Sequence, residues 1–94
     1  MRTDATRLLA DAGEALHGPE WQRALARALG PHHPDGARPA IDDRLVRRWT
    51  TAERPVPGWV WPVLARMLRT RIGDLEAQAS HCLSLAEQLE RRGE

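Results

Sequence analysis

An all-α fold is predicted by two features of this 94-residue chain. Phe and Tyr are absent and the four Trp are the only aromatic residues, which removes much of what favours strands, while Ala, Leu, Arg, Glu and Gln favour helix. Apolar residues also recur at steps of three and four along most of the chain, the period of a helix with one buried face. The length bounds the chain to one domain with one modest core. The expected architecture is a small helical bundle with a long C-terminal helix.

The net charge is +1, so no global basic field is expected and any nucleic-acid site must be a local patch. All fourteen basic residues are Arg. Arg suits bidentate contacts to phosphates and bases, but a complete lack of Lys is assigned mainly to the codon bias of a GC-rich genome. One Cys excludes an internal disulfide and fits a reducing cytoplasm. No apolar stretch follows Met1-Arg2-Thr3-Asp4 that would make a signal peptide, and nowhere do about twenty apolar residues run together. A cytoplasmic protein without a membrane segment is expected.

The first helix is expected from Thr3 to His17, with Thr3 or Asp4 as cap and Leu8, Leu9, Ala12, Ala15 and Leu16 as its apolar stripe. Gly13 weakens it slightly, and Gly18-Pro19 ends it. A second helix should begin at Pro19 and run to Leu29, with Trp21, Ala24, Leu25, Ala28 and Leu29 facing inward. Gly30 is expected to close it in a left-handed conformation. Glu20, Arg23 and Arg27 form a line facing away, either a solvated charged face or a surface that sets Arg23 and Arg27 near a phosphate backbone. Residues 31–41, with three Pro and one Gly, make a loop.

A third helix follows at 42–49. Asp42 or Asp43 can cap it, accepting from the free N–H groups of its first turn. At about 100° per residue, Arg44, Arg47 and Arg48 share one arc and Leu45, Val46 and Trp49 the opposite side. One face packs and the other presents guanidiniums, an arrangement suited to the DNA major groove, where guanine O6 and N7 accept a bidentate Arg. A solvated basic surface on an ordinary packed helix is the competing interpretation.

Gln22-Arg23-Ala24-Leu25-Ala26-Arg27-Ala28-Leu29-Gly30 resembles the first helix and turn of the helix-turn-helix motif of phage repressor and Cro-like regulators, with the small Ala26 where the two helices cross. Arg44-Leu45-Val46-Arg47-Arg48-Trp49 resembles the second half of that motif. The stretch from Trp49 to Pro57 is similar to the Trp, short turn and apolar-Pro signature that follows the recognition helix in many small bacterial and prophage proteins of this type. With Leu16-His17-Gly18-Pro19-Glu20-Trp21, the similarity covers about two thirds of the chain. Two departures stand out. Residues 31–41 intervene where the family passes almost directly into the recognition helix, either as a tolerated insertion with Ile41 stapling the next helix, or as a segment that repositions Arg44, Arg47 and Arg48. Ala52 also stands where related sequences often have Gly, and Ala tolerates a left-handed turn less well.

The resemblance implies a DNA-binding region over 1–57 and a C-terminal helical region over 58–94, together one compact domain. It implies double-stranded DNA as partner, with Arg44, Arg47 and Arg48 at bases and phosphates. Asp43 would accept from a cytosine amino group or cap the helix, and Gln22, Arg23, Arg27 and Thr50 would hold the backbone. Leu45, Val46 and Trp49 would seat the recognition helix against Leu25 and Leu29.

After Pro57, Trp59, Val60, Val63, Leu64, Met67 and Leu68 start another helix, in whose first turn Pro62 is tolerable. Beyond it Ile72, Leu75, Ala79, Cys82, Ala86 and Leu89 form a heptad-like seam. Unbroken, residues 58–92 would extend about 50 Å, and Gly73-Asp74 offers a kink or a break. The seam needs a partner surface, either a second copy or the chain's own core. Dimerisation is the favoured expectation, since two copies supply two half-sites. Cys82 is expected as a small apolar seam residue without a redox role.

His32, His33 and Asp35 lack a spaced pair to complete four metal ligands, so neither metal nor cofactor is expected. No nucleophile-base pairing or phosphate-cradling loop points to an enzyme. The leading expectation is a sequence-specific DNA-binding transcriptional regulator of phage or mobile-element type. The alternative is a protein-interaction module on the same fold, such as a phage-encoded inhibitor or adaptor acting through its C-terminal helix. The near-zero charge, the inserted loop and the acidic pair Asp42-Asp43 favour that alternative.

Overall fold

The computed structural model describes residues 4–93. Among these residues four helices form in order, α1 (Asp4–His17), α2 (Trp21–Leu29), α3 (Asp43–Thr50) and α4 (Val60–Arg92), with one 3₁₀ turn at Gly30–His32. No strand occurs among the described residues, as the aromatic-poor, Ala- and Leu-rich composition predicts. Nor is any of the described helices long and apolar enough to cross a membrane.

α1, α2 and α3 pack pairwise, and α1 also lies against α4. Their shared core holds Leu9, Trp21, Leu25, Leu29, Val46, Trp49, Val60 and Leu64. α1 includes Asp4, whose carboxylate pairs with Arg7 at 2.9 Å; Thr3, the other candidate cap, lies outside the described residues. Its buried side is Thr6, Leu9, Ala10, Ala12 and Gly13, so the stripe is rotated from the expected one and leaves Leu8 60% exposed and Ala15 on the surface. The cause lies at Gly13. A Cβ there would fall within the indole of Trp21, so the missing side chain is the space that Trp21 fills.

α2 starts at Trp21, two residues later than expected, because Pro19 and Glu20 form the turn and Glu20 at the cap position makes no side-chain capping bond. Its end also differs. Gly30 is not left-handed but right-handed helical (φ −50°, ψ −50°) and continues into the 3₁₀ turn. Close approach explains the glycine: a Cβ would lie 2.6 Å from the backbone N and Cα of Ala40 and from the carbonyl oxygen of Arg38.

α4 begins with Val60 N–H donating to Pro57 C=O at 3.1 Å, and Pro62 sits at its third residue, where no intrahelical donor is lost. The helix then runs 33 residues without interruption. No break forms at Gly73-Asp74, because one Gly costs only about 1 kcal/mol in a helix interior and the helix continues through it on both sides. Only the first turns of α4 are covered. From Arg71 to Gly93 every residue is exposed, so the C-terminal helix does not fold back onto the chain's own core. The molecule measures 60 × 33 × 19 Å, a head with a projecting arm.

Candidate functional site

The eight residues of α3 divide as their periodicity predicts. Val46 and Trp49 are buried, Leu45 is half-buried against the core, and Arg44, Arg47 and Arg48 are exposed on the other side. Asp42 is the N-cap. Its carboxylate accepts the backbone N–H of Arg44 at 2.9 Å. That bond first, then the guanidinium of Arg44 and the charge of Arg48, holds the Asp42 carboxyl below its ordinary value against a smaller desolvation cost.

The inserted loop leaves α2 and returns to it. Arg38 N–H donates to Gly30 C=O at 3.1 Å and Ile41 N–H to Ala26 C=O at 3.0 Å, each as a second donor to an oxygen that already accepts, from His33 N–H and Gly30 N–H respectively. Ile41 is buried and joins the core with Val46, the residue pair expected of a hydrophobic staple. His33 stacks edge-on against Trp59 with ring centroids 5.4 Å apart, tying the excursion to the start of α4. The chain thus enters α3 beside the last turn of α2 despite the intervening residues.

As a result, residues from the two helices meet. Gln22, Arg23, Ala24 and Arg27 of α2, Glu20 before it and Arg47 of α3 line one open concavity of about 600 Å³. Of the residues expected at an interface, the fold brings Gln22, Arg23, Arg27 and Arg47 together there, with Arg44 and Arg48 alongside on α3. Glu20 lies outside the expected set and places a carboxylate in the same hollow. Two more carboxylates engage the α3 arginines directly: Arg44 lies 3.3 Å from Asp42 and Arg47 3.4 Å from Asp43. Arg23, Arg27 and Arg48 make no ion pair among the described residues.

Thr50 is placed differently. Its hydroxyl donates to Val46 C=O at 2.9 Å, the i−4 bond common for Thr inside a helix, so its proton is already committed. After α3, Arg54 N–H donates to Arg48 C=O at 3.3 Å and Ala52 takes the left-handed conformation at φ +65°. The turn usual with Gly therefore forms with Ala, at a steric cost. The candidate dimerisation residues Ile72, Leu75, Ala79, Cys82, Ala86 and Leu89 lie far along the exposed arm.

Fold and site define a small all-helical protein whose short third helix presents arginines beside a second, arginine-bearing helix. Compared with models of protein families, with curated proteins and with solved structures, the chain shows no match.

Proposed function

We propose that the protein is a sequence-specific double-stranded DNA-binding regulator of transcription, with α3 as the helix that enters the major groove. The observation that carries this reading is the meeting of Arg47 of α3 with Gln22, Arg23 and Arg27 of α2 on one open surface. In a helix-turn-helix the helix in the groove reads base edges while contacts to the flanking phosphates, in part from a second helix, fix its register. α3 supplies the reader through Arg44, Arg47 and Arg48, and α2 supplies the grip.

The carboxylates tune this surface. Asp42 and Asp43 hold Arg44 and Arg47 through exposed ion pairs, which contribute little in water and are readily exchanged for guanine acceptors or phosphates. Asp43 is then free to accept from a cytosine amino group. Thr50 can act on the backbone only after giving up its bond to Val46, so it is the weakest member of the set. The resemblance to phage repressor and Cro-like regulators supports the same activity and a phage or mobile-element setting. A second reading, protein interaction through α4, is favoured by the row of exposed leucines on the arm.

The test is selection of bound duplexes from a random library, followed by salt titration of the winner for wild type and Arg47→Ala. Enrichment of one base sequence is expected, with Arg47→Ala relaxing one position at a cost of about 1–3 kcal/mol in discrimination. Weak binding with no enriched sequence and only a salt-dependent phosphate contribution would overturn the proposal in favour of the second reading.

A further inference from the structure

Beyond the head, α4 carries a complete heptad pattern with nothing on it. Ile72, Leu75, Leu83, Leu85 and Leu89 are each between 44% and 70% exposed. Assigning Ile72, Ala79 and Ala86 to position a puts Leu68, Leu75, Cys82 and Leu89 at position d. Every b and f position from Arg66 to Arg91 is then polar, Gly or Ala, and Gly73 falls on the outer side, where its missing side chain leaves no gap in the seam. From Leu68 to Leu89 the pattern spans three heptads, about 32 Å of helix, a length at which an a/d pattern argues for a coiled coil.

The seam also continues into the head. One heptad before Leu68 and Ile72 lie Trp61 and Ala65, which with Leu8, Ala12, Leu64 and Leu68 line an apolar hollow between α1 and α4. The exposed Leu8 lies on this hollow, so head and arm share one uncovered apolar strip.

Charge separates the ways of covering it. In a parallel pair, position g faces position e of the next heptad on the partner helix, which sets Arg71 against Glu76 twice over and creates no like-charge pair. In the antiparallel register that matches the six seam residues among themselves, Ile72 faces Leu89, Leu75 faces Ala86 and Ala79 faces Cys82. Arg69 then meets Glu90, but Arg71 meets Arg92, so attraction and repulsion cancel. The hollow around Trp61 and Leu8 also finds no apolar seam residue opposite, since Leu68 already faces Gly93.

We propose that α4 pairs with α4 of a second copy as a parallel, in-register coiled coil, joining two heads side by side at one end with Cys82 facing Cys82 across the seam. Such a dimer aims both α3 helices from the same end, as two adjacent half-sites on DNA require, yet it rests on the arm alone and not on DNA binding.

The experiment uses the full chain at tens of micromolar. Light scattering should give the mass of two chains. With oxidised glutathione, which takes up two electrons and leaves as two thiols, wild type should form a Cys82–Cys82 disulfide, because facing seam residues come within the Cα separation of up to about 6.8 Å that the bond spans. Cys82→Ser should stay dimeric without crosslinking. Arg71→Glu should raise the dimer Kd about three- to tenfold by setting Glu against Glu76, and adding Glu76→Arg should restore it. A monomer, a larger assembly, or tighter association of Arg71→Glu without a crosslink, the mark of the antiparallel pair, overturns the proposal. A monomer that still selects one DNA sequence would overturn it and leave the DNA reading standing, whereas a crosslinking dimer that selects none would do the reverse.

Discussion

The head and the arm are both helical for opposite reasons. α3 has eight residues, too few to be stable alone in water, and it exists because Val46 and Trp49 are sunk in the core and Asp42 caps its start. The arm from Arg71 to Gly93 buries nothing within its own chain and keeps its form through continuous backbone hydrogen bonding and good helix formers. In the head, helix follows from packing; in the arm, it precedes packing. Substitutions should therefore behave differently in the two.

The largest contrast is expected from truncating an apolar side chain. Trp49→Ala should cost about 3–5 kcal/mol in denaturant unfolding, since Trp49 is 1% exposed and its removal leaves a cavity. Leu85→Ala should change monomer stability by no more than about 0.5 kcal/mol. Equal losses at the two sites would refute the division.

A sharper contrast comes from making one substitution in both regions. Gly30→Ala drives a methyl into the backbone of Arg38 and Ala40, which cannot swing away as a side chain can, and should destabilise by about 1–3 kcal/mol. Gly73→Ala meets nothing within 4 Å and should stabilise by about 1 kcal/mol through helix propensity. Thermal melts of the two variants moving in the same direction would show that the head does not close on the loop at Gly30.

The smallest effect concerns the cap. Asp42→Ala should lower the melting temperature by a few degrees, while Asp42→Asn, which still accepts from the first-turn N–H, should stay near wild type. The Asp42 carboxyl is held below its ordinary value of 3.8, so it binds fewer protons folded than unfolded and its stabilisation is present above that value. The stabilisation is lost as pH falls through the lower folded value. Melts between neutral and strongly acid pH should show this loss in wild type and its absence in Asp42→Asn.

What was legible in the sequence follows the same division. Helical periodicity located all four helices, and local chemistry narrowed the cap of α3 to Asp42 or Asp43 and allowed Pro62, because these depend on neighbours a few residues away. Gly30 and Gly13 were misread as local features. Their reasons are Ala40, ten positions on, and Trp21, eight positions on, and only the folded chain brings those together. The arginine face of α3 was readable from angle alone. Its company was legible in part: Glu20, Arg23 and Arg27 fall on one line of α2 by periodicity, but their meeting with Arg47 depends on how α2 and α3 cross, which rests on the return of Ile41 to Ala26 across the loop.

The length of α4 has a further consequence. Its roughly 50 Å axis can lie only along the 60 Å dimension of the molecule, and the amide N–H vectors of a helix lie near its axis. In solution these vectors all reorient with the slow end-over-end rotation of the particle, whereas those of helices set across that axis also sample the faster spin about it. In a single chain the arm therefore relaxes magnetically as part of a particle heavier than 10.6 kDa, through shape and before any pairing adds mass.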